Sequence, residues 1–170
     1  MGARTAWLGL GGNLGDVRSA LAAALKGLDA QDGVSVLAVS PLYKTPPWGL
    51  KDQPWFLNCC AGVSTTLAPE ALLEVCQQLE RVGLRERTVR WGPRTVDIDI
   101  IAYEGVEQVE QRLTLPHPRA VERAFVLTPL AAIAPDVELA GQTVAALAAA
   151  LNDPNMEVAV AGGEWWREEG

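Results

Sequence analysis

The sequence predicts an α+β fold in which helices pack on a mainly antiparallel sheet. Strand and helix patterns follow one another in the order βαββα, and the sequence after them is rich in strand patterns. The 170 residues are 49% apolar, which is enough to bury the core of one domain. No internal repeat or linker interrupts them, so we expect a single domain over residues 1–170, with a tail of unknown role at 152–170.

The first elements are a strand, a glycine-rich turn and a helix. Residues 5–10 are a short strand candidate that leads into the sequence GGNLGD. Asp16 can cap the next helix, because its carboxylate accepts hydrogen bonds from free backbone N–H groups. Apolar residues recur at helical spacing in that helix: Val17, Ala20, Leu21, Ala24, Leu25 and Leu28. A second strand is predicted at residues 34–40, and the proline-rich segment 41–55 is predicted to be a long loop without regular structure.

A third strand and a second helix follow the loop. Residues 57–65 alternate as a strand does, and Pro69 opens a helix. The buried side of this helix is predicted to carry Leu72, Val75, Cys76 and Leu79. Residues 83–94 are predicted to be an arginine-rich loop, and residues 95–103 a fourth strand. The last elements are a hairpin partner strand, an apolar segment that fits either strand or helix, and a short alanine-rich helix, at residues 109–115, 125–133 and 143–151.

Asp97 and Asp99 give the strongest chemical signal in the sequence. Strand side chains alternate, so these two carboxylates share one face about 6.5–7 Å apart along the chain. On the same logic, three apolar residues face the core: Val96, Ile98 and Ile100. Aspartate is disfavoured in strands, and like charges on one face repel unless a cation compensates them. We therefore interpret the pair as a site for Mg²⁺, which takes carboxylate and phosphate oxygens, rather than as a solvated polar face.

Arginines lie directly before this strand. Residues 81–94 carry five of the fourteen basic residues and one acid, a local charge of +4 in a chain whose net charge is −7. Arg90 and Arg94 flank Trp91 in a Gly-Pro turn, and guanidinium forks match phosphate oxygens. A basic segment on an acidic protein favours a small polyphosphate over nucleic acid or an acidic membrane surface.

Three further features have more than one interpretation on the residues alone. His117, the one histidine, lies between two prolines and fits a structural role, donation to a phosphate or base catalysis. Phe56 and Phe125 are the two phenylalanines, and ordinary core packing is the favoured interpretation for both. A glycine cluster lacks the GxGxxG spacing, so it favours a tight strand-to-helix turn over a phosphate cradle. Its members are Gly9, Gly11, Gly12 and Gly15.

The remaining composition indicates a cytoplasmic protein. Cys59, Cys60 and Cys76 have neither a disulfide-framework spacing nor a metal-site spacing. We interpret them as buried thiols in a reducing compartment. The N-terminus has no signal-peptide pattern, and no apolar run reaches the roughly 18 residues that a membrane helix needs.

Three stretches of the chain resemble the 6-hydroxymethyl-7,8-dihydropterin pyrophosphokinases, the HPPK family of folate biosynthesis. They are KTPPWGLKDQPWFLN, RWGPRTVDIDII and LTLPHPRAVERAF, and the resemblance runs from GGNLGD to about residue 135. It implies a ferredoxin-like α+β fold and a monomer. It also implies transfer of the β,γ-pyrophosphate of ATP to the pterin hydroxymethyl oxygen, with release of AMP. The net charge of −7 separately predicts that the protein has no nucleic-acid or membrane partner.

The resemblance also implies roles for individual residues. Asp97 and Asp99 look like ligands of two magnesium ions, and catalysis would involve them together with Arg85 and Arg94. The ATP-binding residues implied are Gln77, Arg87, Arg90, Trp91, Arg94, Ile100, Arg112, Thr114, His117 and Arg123. The pterin-binding residues implied are Thr45, Pro46, Trp48, Phe56, Asn58 and Phe125. In this assignment Phe56 and Phe125 hold the pterin ring between them.

Two rival functions belong to other classes. Ferredoxin-like sheets with aromatic residues also bind single-stranded RNA, although the net charge of −7 argues against that. A two-metal nucleotidyltransferase also uses paired aspartates on a strand. The released product separates this rival from a pyrophosphokinase, because the former releases pyrophosphate and the latter AMP.

Overall fold

The computed structural model describes residues 2–13, 15–46, 55–87 and 96–167, with side chains of the second helix described as far as residue 82. Over these residues the main strands are β1 (Arg4–Gly12), β2 (Val34–Val39), β3 (Leu42–Thr45), β4 (Phe56–Thr65), β5 (Asp97–Tyr103) and β10 (Glu157–Val160). They form one six-stranded antiparallel sheet in the order β10-β3-β4-β1-β5, with β2 also paired to β4. Two small hairpins lie apart from it: β6 (Gln108–Val109) with β7 (Thr114–Leu115), and β8 (Glu138–Leu139) with β9 (Gln142–Thr143).

Helices cover both faces of the sheet. They are α1 (Val17–Ala30), α2 (Pro69–Arg87), α3 (Ala124–Ile133) and α4 (Val144–Leu151), with short 3-10 turns at Ala120–Glu122 and Trp165–Arg167. One core cluster joins the sheet to α1 and α2, and a second joins the opposite face to α3 and α4. This architecture confirms the predicted α+β fold. Within the described residues, every helix is too short or too polar to span a membrane.

The first helix forms as its periodicity predicts. All six apolar positions of the predicted stripe in α1 are buried. The Asp16 carboxylate accepts a hydrogen bond from the Ser19 backbone N–H at 3.2 Å, which satisfies a donor that the helix leaves free. A continuous apolar stripe on a capped helix is therefore sufficient to fix this element against the sheet.

The central strand β4 is buried on both faces. Cys59, Ala61 and Val63 belong to the core beneath α1 and α2, whereas Cys60 belongs to the core beneath α3. The sequence of a strand that is covered on both sides is an almost continuous apolar run. The cysteines are free and buried, as predicted, and burial raises the pKa of the Cys59 thiol to about 12.

Two predicted loops were wrong within the described residues. Residues 42–45 form β3, which pairs with β4 through Tyr43↔Asn58 and Thr45↔Phe56. The prolines at positions 41 and 46 lie just outside this strand, so they bound it without removing a ladder hydrogen bond. The helix α2 also continues to Arg87, because the sequence GLRER consists mainly of good helix formers. Residues 47–54 and 88–95, the other parts of the two predicted loops, lie outside the described residues.

The predicted hairpin partner of β5 was also wrong. The segment 109–115 contains no continuous strand, and its two ends contribute to the small β6–β7 hairpin. Three polar residues, Glu110, Gln111 and Arg112, follow β6 and interrupt the strand, while β5 instead pairs with β1. The apolar segment that fitted either strand or helix is α3. The tail, which carried no clear signal, supplies β10 and two buried tryptophans, Trp165 and Trp166.

Candidate active site

A cavity of about 390 Å³ lies between the sheet and the start of α3. Four strands and the first turn of α3 line it. Strand β1 contributes Gly9–Gly12, and the other lining residues are Thr45, Phe56, Asn58, Cys59, Asp97, Asp99, Arg123, Phe125 and Val126. Residues far apart in sequence therefore meet at one place, which is the usual form of a small-molecule site.

The strand register explains how the polar groups meet. Gly11 on β1 lies opposite Asn58 on β4 and opposite Asp97 on β5. Gly9 lies opposite Asp99 in the same way. Directly opposed residues project to the same face of an antiparallel sheet, so the amide and both carboxylates point to the cavity side. Gly11 has no side chain, so the Asn58 Oδ1 atom can lie directly over it.

The position of the Asn58 amide depends on Gly11. A Cβ atom at this position would lie 2.2 Å from the Asn58 Oδ1 atom and 3.2 Å from the Leu57 carbonyl oxygen. Interpreting the glycine cluster as a tight turn was wrong for three of its members, because Gly9, Gly11 and Gly12 belong to β1 and line the cavity. Gly15 alone among them has the positive φ, +74°, of a turn glycine. In the sequence, these glycines alternate with the leucines at positions 8 and 10, and this alternation could have predicted that they belong to the strand.

The two aspartates take the predicted orientation on β5. Their side chains face outward, whereas Ile98 and Ile100 are buried on the other side of the strand. Burial raises the pKa of Asp97, and the nearby charge of Asp99 raises it further. The fold therefore holds two carboxylates where charging both is unfavourable unless positive charge is brought to them.

Glu80 is a third carboxylate near this pair, and its place there was not predicted from the sequence. Its Oε2 atom accepts a hydrogen bond from the Ile98 backbone N–H at 2.8 Å, which ties α2 to β5. Burial raises the pKa of Glu80; this hydrogen bond lowers it, and the charges of Asp97 and Asp99 raise it. Across the described ranges, no set of three or more potential metal-ligating side chains is arranged around one point. A cation held by the two aspartates would thus need further ligands from substrate or water.

Asn58 lines the cavity together with two aromatic residues. It is 8% exposed, and its side-chain amide forms no hydrogen bond with another described residue. Phe56 comes from β4 and Phe125 from α3, so rings from two elements border the same space. The Arg123 guanidinium lies 5.6 Å from the centre of the Phe125 ring. A buried amide without a partner beside aromatic rings is suited to a flat polar ligand.

His117 lies close to this cavity without lining it. Its Nδ1 atom accepts a hydrogen bond from the Arg119 backbone N–H at 3.2 Å, so Nε2 carries the proton of the neutral ring. Burial lowers the pKa of His117, and Arg123 and Arg119 lower it further, whereas Asp99 opposes the shift. A neutral imidazole with a free Nε2–H is thereby held near the carboxylates.

Four other residues implied by the resemblance do not line the cavity. Arg112 forms an ion pair with Glu74 of α2 at 3.3 Å, and Thr114 donates to the Glu110 carbonyl oxygen at 3.2 Å. Gln77, like these two, does not line the cavity, and it is half-buried on α2. The Ile100 side chain is 2% exposed and belongs to the core, so its backbone is the part available to a ligand.

The neighbouring cavity contains Pro46. This second space, of about 520 Å³, shares Thr45, Arg123 and Phe125 with the first. Four residues of the predicted site lie outside the described residues: Trp48, Arg90, Trp91 and Arg94. The backbones of Arg85 and Arg87 lie in the last turn of α2, and their side chains are outside the description.

Comparisons with known proteins identify the family of this chain. Residues 7–135 match the family described as 7,8-dihydro-6-hydroxymethylpterin-pyrophosphokinase (HPPK). The 2-amino-4-hydroxy-6-hydroxymethyldihydropteridine pyrophosphokinase of Methylorubrum extorquens is 50% identical over 152 residues, which are 89% of this chain and 96% of that protein. The protein of the same name from Bacillus subtilis is 44% identical over 133 residues, which are 78% of this chain and 80% of that protein.

A solved structure supports the fold alone. The HPPK-DHPS of Plasmodium falciparum, wild type with SDX-DHP, aligns with a TM-score of 0.66 at 16% identity. The alignment covers 87% of this chain and 43% of the Plasmodium chain, so this protein spans less than half the length of that one.

Proposed function

The chain belongs to the 7,8-dihydro-6-hydroxymethylpterin-pyrophosphokinase family, and on this premise we propose that the described cavity is its pterin-binding site. Family membership makes the protein a pyrophosphokinase of folate biosynthesis. Its reaction transfers pyrophosphate from ATP to 6-hydroxymethyl-7,8-dihydropterin and releases AMP. We further propose that the enzyme acts as a cytoplasmic monomer with a single domain.

The single observation that carries the pterin assignment is the Asn58 amide. It is buried, it has no partner among the described side chains, and it points into a space bordered by two phenylalanines. The edge of a pterin ring offers both hydrogen-bond donors and acceptors, and an amide can serve both. The flat faces of the ring suit Phe56 and Phe125. Thr45, Pro46 and Trp48 complete the proposed pterin set.

Asp97 and Asp99 are the residues we assign to Mg²⁺. Their carboxylates face the cavity, where burial and then the charge of Asp99 raise the pKa of Asp97. Bound Mg²⁺, of which we expect two ions, would neutralise the triphosphate and act as a Lewis acid on its oxygens. Gly9 on β1 pairs with Asp99 and lines the same cavity, so we assign the space beside the two carboxylates to the polyphosphate oxygens.

The ATP side of the site is assigned to residues around β5 and α2. His117 and Arg123 are nearest to the cavity, and the neutral ring of His117 can donate from Nε2 to a phosphate oxygen. The further proposed ATP contacts are Gln77, Arg87, Arg90, Trp91, Arg94, Ile100, Arg112 and Thr114. We assign Arg85 and Arg94 to stabilisation of the charge on the transferred group.

The chemistry we propose is positioning and charge stabilisation. Among the described residues that line the cavity, Cys59 has a pKa of about 12 and the acids are Asp97 and Asp99. These carboxylates are assigned to the cation, so none of these groups is left as a dedicated strong base for the pterin hydroxyl. The described residues hold the two substrates in line, and the buried cavity restricts water.

The test is incubation of the purified protein with ATP, Mg²⁺ and 6-hydroxymethyl-7,8-dihydropterin, with AMP and the pterin diphosphate measured by chromatography. We expect equal amounts of the two products. Replacing Asn58 with leucine, which is similar in volume but has no amide, should raise KM for the pterin and leave KM for ATP nearly unchanged. Release of pyrophosphate instead of AMP would indicate a nucleotidyltransferase, and no AMP from a folded protein would reject the proposal.

A further inference from the structure

We propose that Trp165, in the C-terminal segment 157–167, is a positioning residue for the pterin half of the site. The inference rests on the proposed function and extends it, because this segment lies beyond the family match, which ends at residue 135. Trp165 is 3% exposed, and its indole Nε1–H donates to the Ser40 carbonyl oxygen at 3.0 Å. A buried hydrogen bond between elements 125 residues apart fixes their relative position.

Ser40 is the point where three elements meet. It is fully buried and lies between the end of β2 and the start of β3. Its backbone N–H donates to the Cys60 carbonyl oxygen at 2.9 Å, and its Oγ atom accepts from the Cys60 backbone N–H at 2.9 Å. The same hydroxyl donates to the Pro41 carbonyl oxygen at 2.8 Å. The bond from Trp165 uses the Ser40 carbonyl and completes this network.

The network leads to the cavity in two directions. Along β3 it reaches Thr45, which pairs with Phe56. Along β4 it reaches Cys60, which is two residues from Asn58 and whose thiol donates to the Val126 carbonyl oxygen at 3.4 Å. Val126 follows Phe125 at the start of α3, so the pterin-side strands and helix share this support. The proposed cation site is on β5, separated from β4 by β1.

The rest of the segment holds the same strand from its outer edge. Strand β10 pairs with β3 through Glu157↔Lys44, Val158↔Tyr43 and Val160↔Leu42. After β10, Gly163 passes so close to β2 that an added Cβ atom would lie 2.5 Å from the Val39 carbonyl oxygen. This close approach brings Trp165 within reach of the neighbouring residue, Ser40. The C-terminal segment thus holds β3 by its edge and at its beginning.

Trp166 provides a matched control. It is buried beside Trp165, and its indole N–H also donates to a carbonyl oxygen, at 3.1 Å. That acceptor belongs to Gly163, so the bond stays within the segment and reaches neither β3 nor β4. Trp165→Phe and Trp166→Phe therefore remove the same chemical group from the same buried pair, and differ in whether the lost bond leads to the cavity.

The experiment compares the full-length protein with these two variants. We expect Trp165→Phe to raise KM for 6-hydroxymethyl-7,8-dihydropterin about fivefold, the equivalent of about 1 kcal/mol. KM for ATP should stay within about twofold of that of the unmodified protein, and Trp166→Phe should leave both values nearly unchanged. Melting temperatures of all three proteins are measured alongside, because a purely structural loss lowers Tm and the active fraction without changing KM for one substrate.

Each outcome decides the question. A rise in KM for the pterin alone, seen with Trp165→Phe and absent with Trp166→Phe, supports the positioning role. Unchanged KM values, equal changes for both substrates or equal changes in both variants overturn it and leave the proposed function standing. If Trp165→Phe does not fold, Gly163→Ala, which displaces the segment from Val39, must reproduce the selective rise in KM. An unmodified protein that forms no AMP would overturn the function and this inference together.

Discussion

Replacing Gly11 with alanine should weaken pterin binding by a steric route that the structure defines. The new Cβ atom would lie 2.2 Å from the Asn58 Oδ1 atom, a distance that real Cβ contacts do not reach. The Leu57 carbonyl oxygen, 3.2 Å away, is part of the backbone and cannot move aside without disturbing β4. The Asn58 amide must therefore rotate out of the position from which it faces the cavity.

The expected size of the effect follows from the hydrogen bonds at stake. If the amide forms two hydrogen bonds with the pterin, at about 1 kcal/mol each, the loss is about 2 kcal/mol. This corresponds to a rise of about 30-fold in KM for the pterin. The crowding also costs stability, of the order of 1–3 kcal/mol for an overpacked site. KM for ATP should change far less, because the carboxylates on β5 keep their positions.

The assay is steady-state AMP formation at varied pterin concentration, with Tm measured for each protein. Gly62→Ala is the control, because Gly62 is a buried glycine on β4 whose added Cβ atom would be 3.7 Å from the Trp7 Cδ1 atom, an ordinary contact. That variant should retain both KM values. A folded Gly11→Ala protein with KM for the pterin within about twofold of the unmodified enzyme would contradict this steric effect on Asn58.

Three further predictions concern the charged groups. Asp97→Asn should lower kcat by at least about 100-fold in the AMP assay; near-normal turnover would contradict the cation assignment. The same variant should have a higher Tm than the unmodified protein at pH 7 without Mg²⁺. The pKa of Asp97 is raised in the folded protein. Its protonated carboxyl therefore stabilises the folded state fully below the unfolded-state pKa, and this stabilisation is lost as pH rises through the folded-state pKa. The difference in Tm between Asp97→Asn and the unmodified protein should disappear below about pH 3.5. A difference that does not change with pH would exclude the raised pKa of Asp97 as its cause. The one histidine, His117, should titrate in ¹H–¹⁵N NMR spectra with a pKa below its ordinary value. Since that pKa is lowered, His117 favours folding above the unfolded-state pKa and this contribution is lost as pH falls towards the folded-state value; a normal or raised pKa would contradict the arrangement.

The parts of the fold that local patterns determine were predictable from the sequence. The helix α1 has a continuous apolar stripe and a capping aspartate, and both act within a few residues. Strand β3 was missed because its sequence, LYKT, is short and lies between prolines, and its existence depends on pairing with β4. Trp165 and Trp166 were missed for a similar reason, because their burial depends on α1 and Ser40, more than a hundred residues away in sequence.

The distinction between local patterns and contacts far apart in sequence applies to the site as well. The orientation of Asp97 and Asp99 was predictable because alternation within one strand decides it. The place of Asn58 beside Gly11 was not, because a register between two strands decides it, and a shift of one residue would turn the amide to the opposite core. The resemblance to a family assigned Asn58 to the pterin, but the requirement for glycine opposite it emerges from the register.

The arrangement of unfavourable groups on one face of the sheet has a consequence for stability. Asn58 lacks a partner among the described residues, and Asp97 carries a raised pKa, so the free enzyme bears the cost of both groups. The opposite sides of the same strands bury leucine, isoleucine and cysteine, and this burial offsets that cost. Pterin would satisfy the amide, and Mg²⁺ would compensate the carboxylates. Substrates should therefore stabilise the fold by satisfying groups that packing alone leaves unsatisfied.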